Sequence, residues 1–207
     1  MAQKMPDWLK FPLVLVIVSV ISAGSLAGLG ALTQKGRKAI EDKETEAALK
    51  IVLPSADSFH IREASVDGHK FSYRIAMKGE NAVGYVVEGS ATGYSSVIKV
   101  MVGVDSNFVI QGIKVLAQKE TPGLGDKIQE LLSKKTWGTV ITGSSPDEPG
   151  LRPWFQVQFD GKKVPVKVDK DGGDIESITG ATISSRAVCE AVNEAVERLK
   201  KAVGAKQ

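Results

Sequence analysis

Glu176-Ser-Ile-Thr179-Gly180-Ala181-Thr182-Ile183-Ser184-Ser185-Arg186 sets hydroxyl groups and two very small residues directly ahead of a helical pattern. Val188, Val192, Val196, Leu199 and Val203 recur at helical spacing, which predicts a helix from about Ser184 to Val203. Thr182 then sits at or near its N-terminus, where the first-turn N–H groups have no intrahelical acceptor and the helix dipole is positive. A phosphate at that point is favoured on both counts. Gly180 and Ala181 leave the Thr182 hydroxyl almost unshielded, so another protein or a bulky cofactor can reach it. An ordinary N-cap accounts for the same residue types, because Ser and Thr are common caps and Gly is common in the preceding turn. On physics alone the plain cap is the simpler account.

Two further stretches carry turn chemistry. Lys119-Glu120-Thr121-Pro122-Gly123-Leu124-Gly125 precedes a short amphipathic pattern of Leu124, Ile128, Leu131 and Leu132. Pro-Gly gives a turn with positive φ at Gly123, and Gly125 permits close backbone approach. A strand-to-helix turn explains any lone Pro-Gly equally well. Gly93-Tyr94-Ser95-Ser96 stands ahead of the apolar run Val97 to Val104.

Thr-Gly-Ala-Thr after an acidic residue resembles the flavinylation motif of the FMN-binding domain family, Asp-x-x-Ser/Thr-Gly-Ala-Thr. Glu176 stands where the motif has Asp, which keeps the carboxylate and lengthens it by one methylene. The resemblance implies that Thr182 carries FMN covalently through its phosphate, with Thr179, Gly180 and Ala181 beside it. Glu-Thr-Pro-Gly-Leu-Gly is similar to a six-residue signature of the same family that lies against the flavin. That adds Glu120, Thr121, Gly123, Leu124 and Gly125 as cofactor-binding residues, with Leu124 as an apolar contact and Thr121 as a hydrogen-bond donor. Gly93-Tyr94 resembles the family's strand entry and adds Tyr94. Lys119 is a candidate cation near the ring, against the simpler account of a solvated surface lysine. The two stronger motifs stand in the family's order, about 60 residues apart.

Phe11 to Leu32 is 22 residues without a charge. At ~1.5 Å rise per residue it covers about 33 Å, against a hydrocarbon core of ~30 Å. Trp8 and Lys10 flank one end and Lys35, Arg37 and Lys38 the other, as interface anchors do. The run exceeds the ~7–15 apolar residues of a signal peptide, so a retained span is expected. Gly24 and Gly28 form a Gly-x-x-x-Gly pair of the kind that lets helices approach. The expected layout is a short tail over 1–10, a transmembrane helix over 11–32, a helical connector over 33–54 and one domain over 55–207. Ile40, Ala47 and Ile51 form the connector's modest apolar face, and Leu53-Pro54 ends it. Counting Lys and Arg around the span leans towards a cytoplasmic domain, whereas the family resemblance implies an extracytoplasmic one; long domains translocate largely regardless of charge.

The fold class expected is α+β: the N-terminal span, then one FMN-binding domain with a largely antiparallel sheet and flanking helices. Phe71 to Lys78, Gly84 to Gly89, Val97 to Val104 and Phe108 to Val115 read as strands, with turns at Gly79 to Asn81 and Asp105 to Asn107. Thr142 to Pro153 reads as a loop. Phe155 to Phe159 and Val164 to Val168 read as a hairpin around Gly161, and Asp169 to Gly173 as a turn. The formal net charge is +3, which implies no nucleic acid. One cysteine, Cys189, excludes an internal disulfide and an iron–sulfur cluster held by this chain alone, and reads as a small buried residue. His60 and His69 make no convincing metal site. Any redox cofactor is therefore organic.

Taken in order, the span, Gly-Tyr, Glu-Thr-Pro-Gly-Leu-Gly and Thr-Gly-Ala-Thr are similar over nearly the whole chain to the G-subunit family of Rnf complexes. These complexes pass electrons between ferredoxin and NAD and couple the transfer to Na⁺ or H⁺ movement. The C subunit of the Na⁺-translocating NADH:quinone reductase is the related alternative and is usually longer. The resemblance implies an electron relay in the cell membrane with its flavin domain on the extracytoplasmic side. It implies as partners the other membrane and iron–sulfur/flavin subunits, the lipid bilayer, and a flavin transferase that uses FAD and leaves FMN on the threonine. No catalytic residue is assigned, because no substrate-turnover site is visible. A non-redox tethered scaffold is the bland alternative. A serine hydrolase built on Ser144-Ser145 or Ser184-Ser185 lacks a Gly-x-Ser-x-Gly elbow.

Overall fold

The computed structural model describes residues 7–66, 68–131 and 152–204. Between Ser58 and Ala117 the chain folds back on itself as five strands: β1 (Ser58–Val66), β2 (His69–Lys78), β3 (Asn81–Thr92), β4 (Val97–Asp105) and β5 (Ile110–Ala117). Connections this short force antiparallel neighbours, and the sheet order is β1-β2-β3-β4-β5. Gly79, at φ 59°, turns β2 into β3. At the β4–β5 turn the Asp105 carboxylate accepts the N–H groups of Asn107 at 2.8 Å and Val109 at 2.9 Å.

Each face of the sheet is covered by a different helix. The helix α1 (Asp7–Val52) divides between two compact units, Met1–Glu46 and Ala47–Gln207. In the first unit, Phe11–Gly30 is long and apolar enough to cross a membrane. In the second, Ala48, Leu49, Val52 and Leu53 bury against Ala76, Val86 and Met101 of the sheet. The buried face is therefore not the expected one: Ala47 is exposed and Ile51 only half-buried. Gly103 selects the phase, because a Cβ there would collide with the Val52 carbonyl.

The opposite face carries Tyr73, Val87, Val100, Val102 and Val104 and packs against α3 (Thr182–Gly204). Ala187, Val188, Ala191, Val192, Ala195, Val196 and Leu199 point inward with helical period. A fully buried Val or Leu contributes about 1.5–3 kcal/mol of gross stabilisation. Gly89 of β3 is required for this contact, since a Cβ there would run into the Ala191 carbonyl.

Two local readings change. β1 has no counterpart among the expected strands; it is an edge strand, largely exposed, with Arg62 and Glu63 in its middle, and its pairing with β2 is a backbone matter. The expected hairpin of Phe155 to Phe159 with Val164 to Val168 does not form. Phe155 and Phe159 are instead packed edge-to-face, centroids 5.7 Å apart, through the single helical turn α2 (Trp154–Val157), while Val157 between them is exposed. Alternation at 155, 157 and 159 fits two periods, and the i, i+4 aromatic pair decides for the helix. Val164, Val166 and Val168 do alternate inward, but their segment joins no named strand. Asn193 of α3 serves it, accepting the Val166 N–H at 2.8 Å and donating to its carbonyl at 2.8 Å. Leu132 and most of the expected 142–153 loop lie outside the described residues.

Candidate functional site

The three stretches singled out in the sequence meet at one carboxylate. Glu120 follows β5 and is 5% exposed. Its Oε1 accepts the N–H groups of Ser95 at 3.1 Å and Ser96 at 2.9 Å, and the Ser96 hydroxyl at 2.9 Å. Its Oε2 accepts the Tyr94 N–H at 3.0 Å and the Ser184 hydroxyl at 2.6 Å. These donors fill the roughly four lone-pair sites of a carboxylate. Burial pushes the carboxyl pKa up, but the bonds from Ser184, Ser96, Ser95 and Tyr94 outweigh it and hold the group below its ordinary range. All the donors are neutral, so no cation is needed to keep this buried charge.

Two glycines make the cluster possible. A Cβ on Gly93 would lie 2.6 Å from Glu120 Oε1, and one on Gly125 would lie 2.6 Å from the Ser184 hydroxyl. Both act as spacers around the carboxylate. Gly123, at φ 76°, supplies the turn the Pro-Gly pair predicts.

Above this cluster starts α3. The Ser185 N–H and hydroxyl both donate to the Ala181 carbonyl, at 3.0 and 3.1 Å, and the Ser185 hydroxyl accepts the Ile178 N–H at 3.1 Å. Ala181, not Thr182, therefore occupies the cap position. No described group accepts the N–H of Thr182, Ile183 or Ser184. The hydroxyls of the segment now separate. Those of Ser184 and Ser185 are buried and engaged. Thr179 is exposed and Thr182 half-buried, and neither has a hydrogen bond to its hydroxyl among the described residues.

A groove of about 640 Å³ opens here, lined by Tyr94, Glu120, Thr121, Leu124, Gly125, Gly180, Ala181, Thr182, Ile183 and Ser184. Its volume lies within the ~300–1,000 Å³ usual for cofactor pockets. Tyr94, Leu124 and Ile183 leave apolar surface exposed at its rim, 71%, 44% and 50% respectively. Gly180 has φ 80°, and a Cβ on it would come within 3.1 Å of Leu124 Cδ2, so the two walls approach over a bare backbone. The Thr121 hydroxyl lies 3.3 Å from that of Ser95.

Of the expected site residues, Gly123 and Thr179 do not line the groove. Lys119 is exposed and contributes its N–H to the Ser96 hydroxyl at 2.8 Å, with its side chain outside the lining. The exposed Glu176 meets Gln158 through its backbone alone. Ile183 and Ser184 join the wall in addition to the expected residues. Their signal was available in helical phase, since both share the first turn with Thr182; the partner of Ser184, 64 positions away, was not. Cys189 is buried on α3 itself, and burial pushes its thiol up to about 12. Among the described residues no group of three His, Cys, Asp or Glu side chains is placed to hold a metal ion.

The sequence pattern of the FMN-binding domain matches residues 93–197, which takes in the whole groove. The G subunit of the ion-translocating oxidoreductase complex of Methanosarcina acetivorans is 32% identical over 195 residues, 91% of this chain and 92% of that protein. The chain carries an FMN-binding domain and belongs to this G-subunit family. The G subunit of Vibrio vulnificus is likewise 32% identical, over 91% of this chain and 87% of its own length. That of Salmonella typhi is 33% identical over 87% and 86%. Two solved structures align at 20% identity, both of weak similarity. Shewanella oneidensis NqrC covers 60% of this chain and 54% of its own, with a TM-score of 0.44. The C subunit of the Na⁺-translocating NADH-quinone reductase from Parabacteroides distasonis covers 75% and 91%, with a TM-score of 0.49.

The residues present fit FMN. The bare N–H groups at the start of α3 suit a phosphate, and the apolar rim of Leu124, Ile183 and Tyr94 suits a flat ring. The crowded glycines at 125 and 180 keep the floor of the groove at backbone height.

Proposed function

We propose that this member of the G-subunit family is a membrane-anchored flavoprotein that relays electrons in an ion-translocating ferredoxin:NAD oxidoreductase complex, with FMN held covalently on Thr182. The observation that carries the attachment is the sorting of hydroxyls: among the described residues Thr182 alone combines an unengaged Oγ1, a place on the groove wall and the unpaired N–H groups of a helix start. In that attachment Thr182 Oγ1 would form the ester bond to the riboflavin phosphate as the pyrophosphate bond of FAD breaks and AMP leaves, the threonine proton passing to a base of the separate flavin transferase that would supply the reaction.

FMN, when bound, supplies one- and two-electron transfer that none of these side chains can perform. The chain's own work is to hold and orient. Thr182 would anchor the group, the α3 N–H groups would meet its phosphate charge, Leu124 and Ile183 would give the ring an apolar bed, and Thr121 would offer it a hydroxyl. Phe11–Gly30, about 30 Å as a helix, anchors the domain in the membrane. The domain is placed on the extracytoplasmic side, where a tether prevents loss of a cofactor that cannot be replaced. The other membrane, iron–sulfur and flavin subunits of the complex are its electron partners.

Intact mass of the membrane-purified chain, with peptide mapping, tests the attachment. One FMN adduct is expected on the peptide containing Thr182, absent in Thr182→Ala and reduced in Thr182→Ser. An adduct on Thr179, Ser184 or Ser185 would overturn the assignment. Protease added to wall-stripped intact cells should cleave the domain; cleavage only after lysis places it in the cytoplasm.

A further inference from the structure

We propose that Glu120 is a positioning residue of the flavin site, one whose carboxylate locks the Tyr94–Ser96 turn and the first turn of α3 into a single frame. The proposal rests on the reading of the groove as the flavin site. Tyr94 and Thr182 both line that groove, from different segments of the chain. Among the described residues no backbone hydrogen bond joins the 93–96 turn to the start of α3. The hydrogen-bonded link between them runs through Glu120, from Oε1 and Oε2 on the turn to Oε2 on the Ser184 hydroxyl.

The Ser184 bond does a specific mechanical job. A helix start is free to rotate about its axis until something pins a side chain on it. Ser184 is pinned at 2.6 Å, and with ~3.6 residues per turn the rotation it sets decides where the Thr182 hydroxyl two residues earlier points. Glu120 also cannot double as a base for that hydroxyl, because its lone pairs are already taken up by five donors. A carboxylate is needed for this duty: Gln in its place keeps one acceptor oxygen and turns the other position into a donor facing the Tyr94 N–H.

The test uses the full-length chain, expressed in membranes with a flavin transferase, as wild type, Glu120→Gln, Ser184→Ala and Phe159→Leu. Phe159 is buried in the core away from the groove and serves as a control for plain destabilisation. Three quantities are read: the rate of adduct formation on Thr182, the melting midpoint, and the fluorescence anisotropy of the loaded fraction. Glu120→Gln should slow loading about tenfold or more and leave the flavin more mobile, since small misplacements of a reacting group carry penalties of that size. Ser184→Ala should act in the same direction but less. Phe159→Leu should lower the melting midpoint with loading and anisotropy unchanged.

Wild-type loading and anisotropy in Glu120→Gln overturn the positioning role and leave the flavin reading intact. So does loading that merely follows the melting midpoint across all variants, Phe159→Leu included. If Glu120→Gln does not accumulate, Ser184→Ala decides, because it leaves the bonds to Tyr94, Ser95 and Ser96 in place; wild-type behaviour there overturns the proposal. A wild-type chain with no adduct sinks the flavin reading itself, and the positioning role with it.

Discussion

Asn193 on α3 and Glu120 after β5 each satisfy the backbone of a segment that has left the sheet, and they do so with opposite chemistry. Asn193 offers Val166 one acceptor and one donor, both at 2.8 Å, as a neighbouring strand would. An amide facing an amide holds an extended segment in register without burying charge. Glu120 offers acceptors only and gathers three successive N–H groups, of Tyr94, Ser95 and Ser96, plus two hydroxyls. Converging N–H groups of a tight turn call for a carboxylate, and the penalty is a desolvated charge. The neutral clasp belongs to the scaffold. The charged one lines the groove, and of the two side chains it is the one that titrates.

Removing the charged clasp should have the largest effect. Glu120→Ala leaves the buried Ser184 hydroxyl and the turn N–H groups without their acceptor, and a loss of about 2–4 kcal/mol is expected in urea unfolding, together with loss of adduct. A loss as small as that of a surface substitution would show that water replaces the carboxylate. Asn193→Ala should cost about 1–2 kcal/mol for its two bonds, with flavin loading at the wild-type rate. If loading falls as well, the two clasps are coupled and the contrast between them is wrong.

Acid should separate them further. Glu120 titrates below its unfolded value, so its stabilisation is fully present above the unfolded carboxyl pKa of about 4.3 and is lost as pH falls through the folded one. The stability difference between wild type and Glu120→Gln should hold steady from neutrality to about pH 5, then shrink with further acidification. Asp169, through its bond from Ser177, and Asp171, through Arg186, are also held low and weaken the fold in the same acid range. Both are present in wild type and variant, so the difference isolates Glu120. The difference between wild type and Asn193→Ala should stay flat across that range, and a slope there would implicate a charge at the neutral clasp.

The smallest stability effect is expected at Leu124→Ala. With the side chain 44% exposed, the loss should be about 0.5–1 kcal/mol, well under the ~2–5 of a core leucine. The flavin's fluorescence should change nonetheless, because Leu124 lies on the groove wall. An unchanged spectrum would reduce the segment to a turn.

Much of this molecule was legible because it is written in local patterns. The uncharged run from Phe11, the period of Val188 to Val203, and the turns at Gly79 and Asp105 each express a rule that acts over a few residues. The motif residues at 94, 120–125 and 179–182 were legible as family resemblance. What neighbours in sequence could not show is pairing at a distance. β1 is held by its backbone partner rather than by a buried side-chain stripe, so its own residues scarcely mark it. Phe155 and Phe159 fit a strand or a helix until the core around them picks one. Thr182, Ser184 and Ser185 are equivalent in sequence as hydroxyls ahead of a helix. Only the folded chain brings Glu120 to Ser184; Ser185 turns back locally onto the Ala181 carbonyl one helical turn earlier, and among the described residues the Thr182 hydroxyl is left without a partner. A hydrogen bond is decided by which groups the tertiary fold places within about 3 Å of each other, and no local propensity encodes that distance.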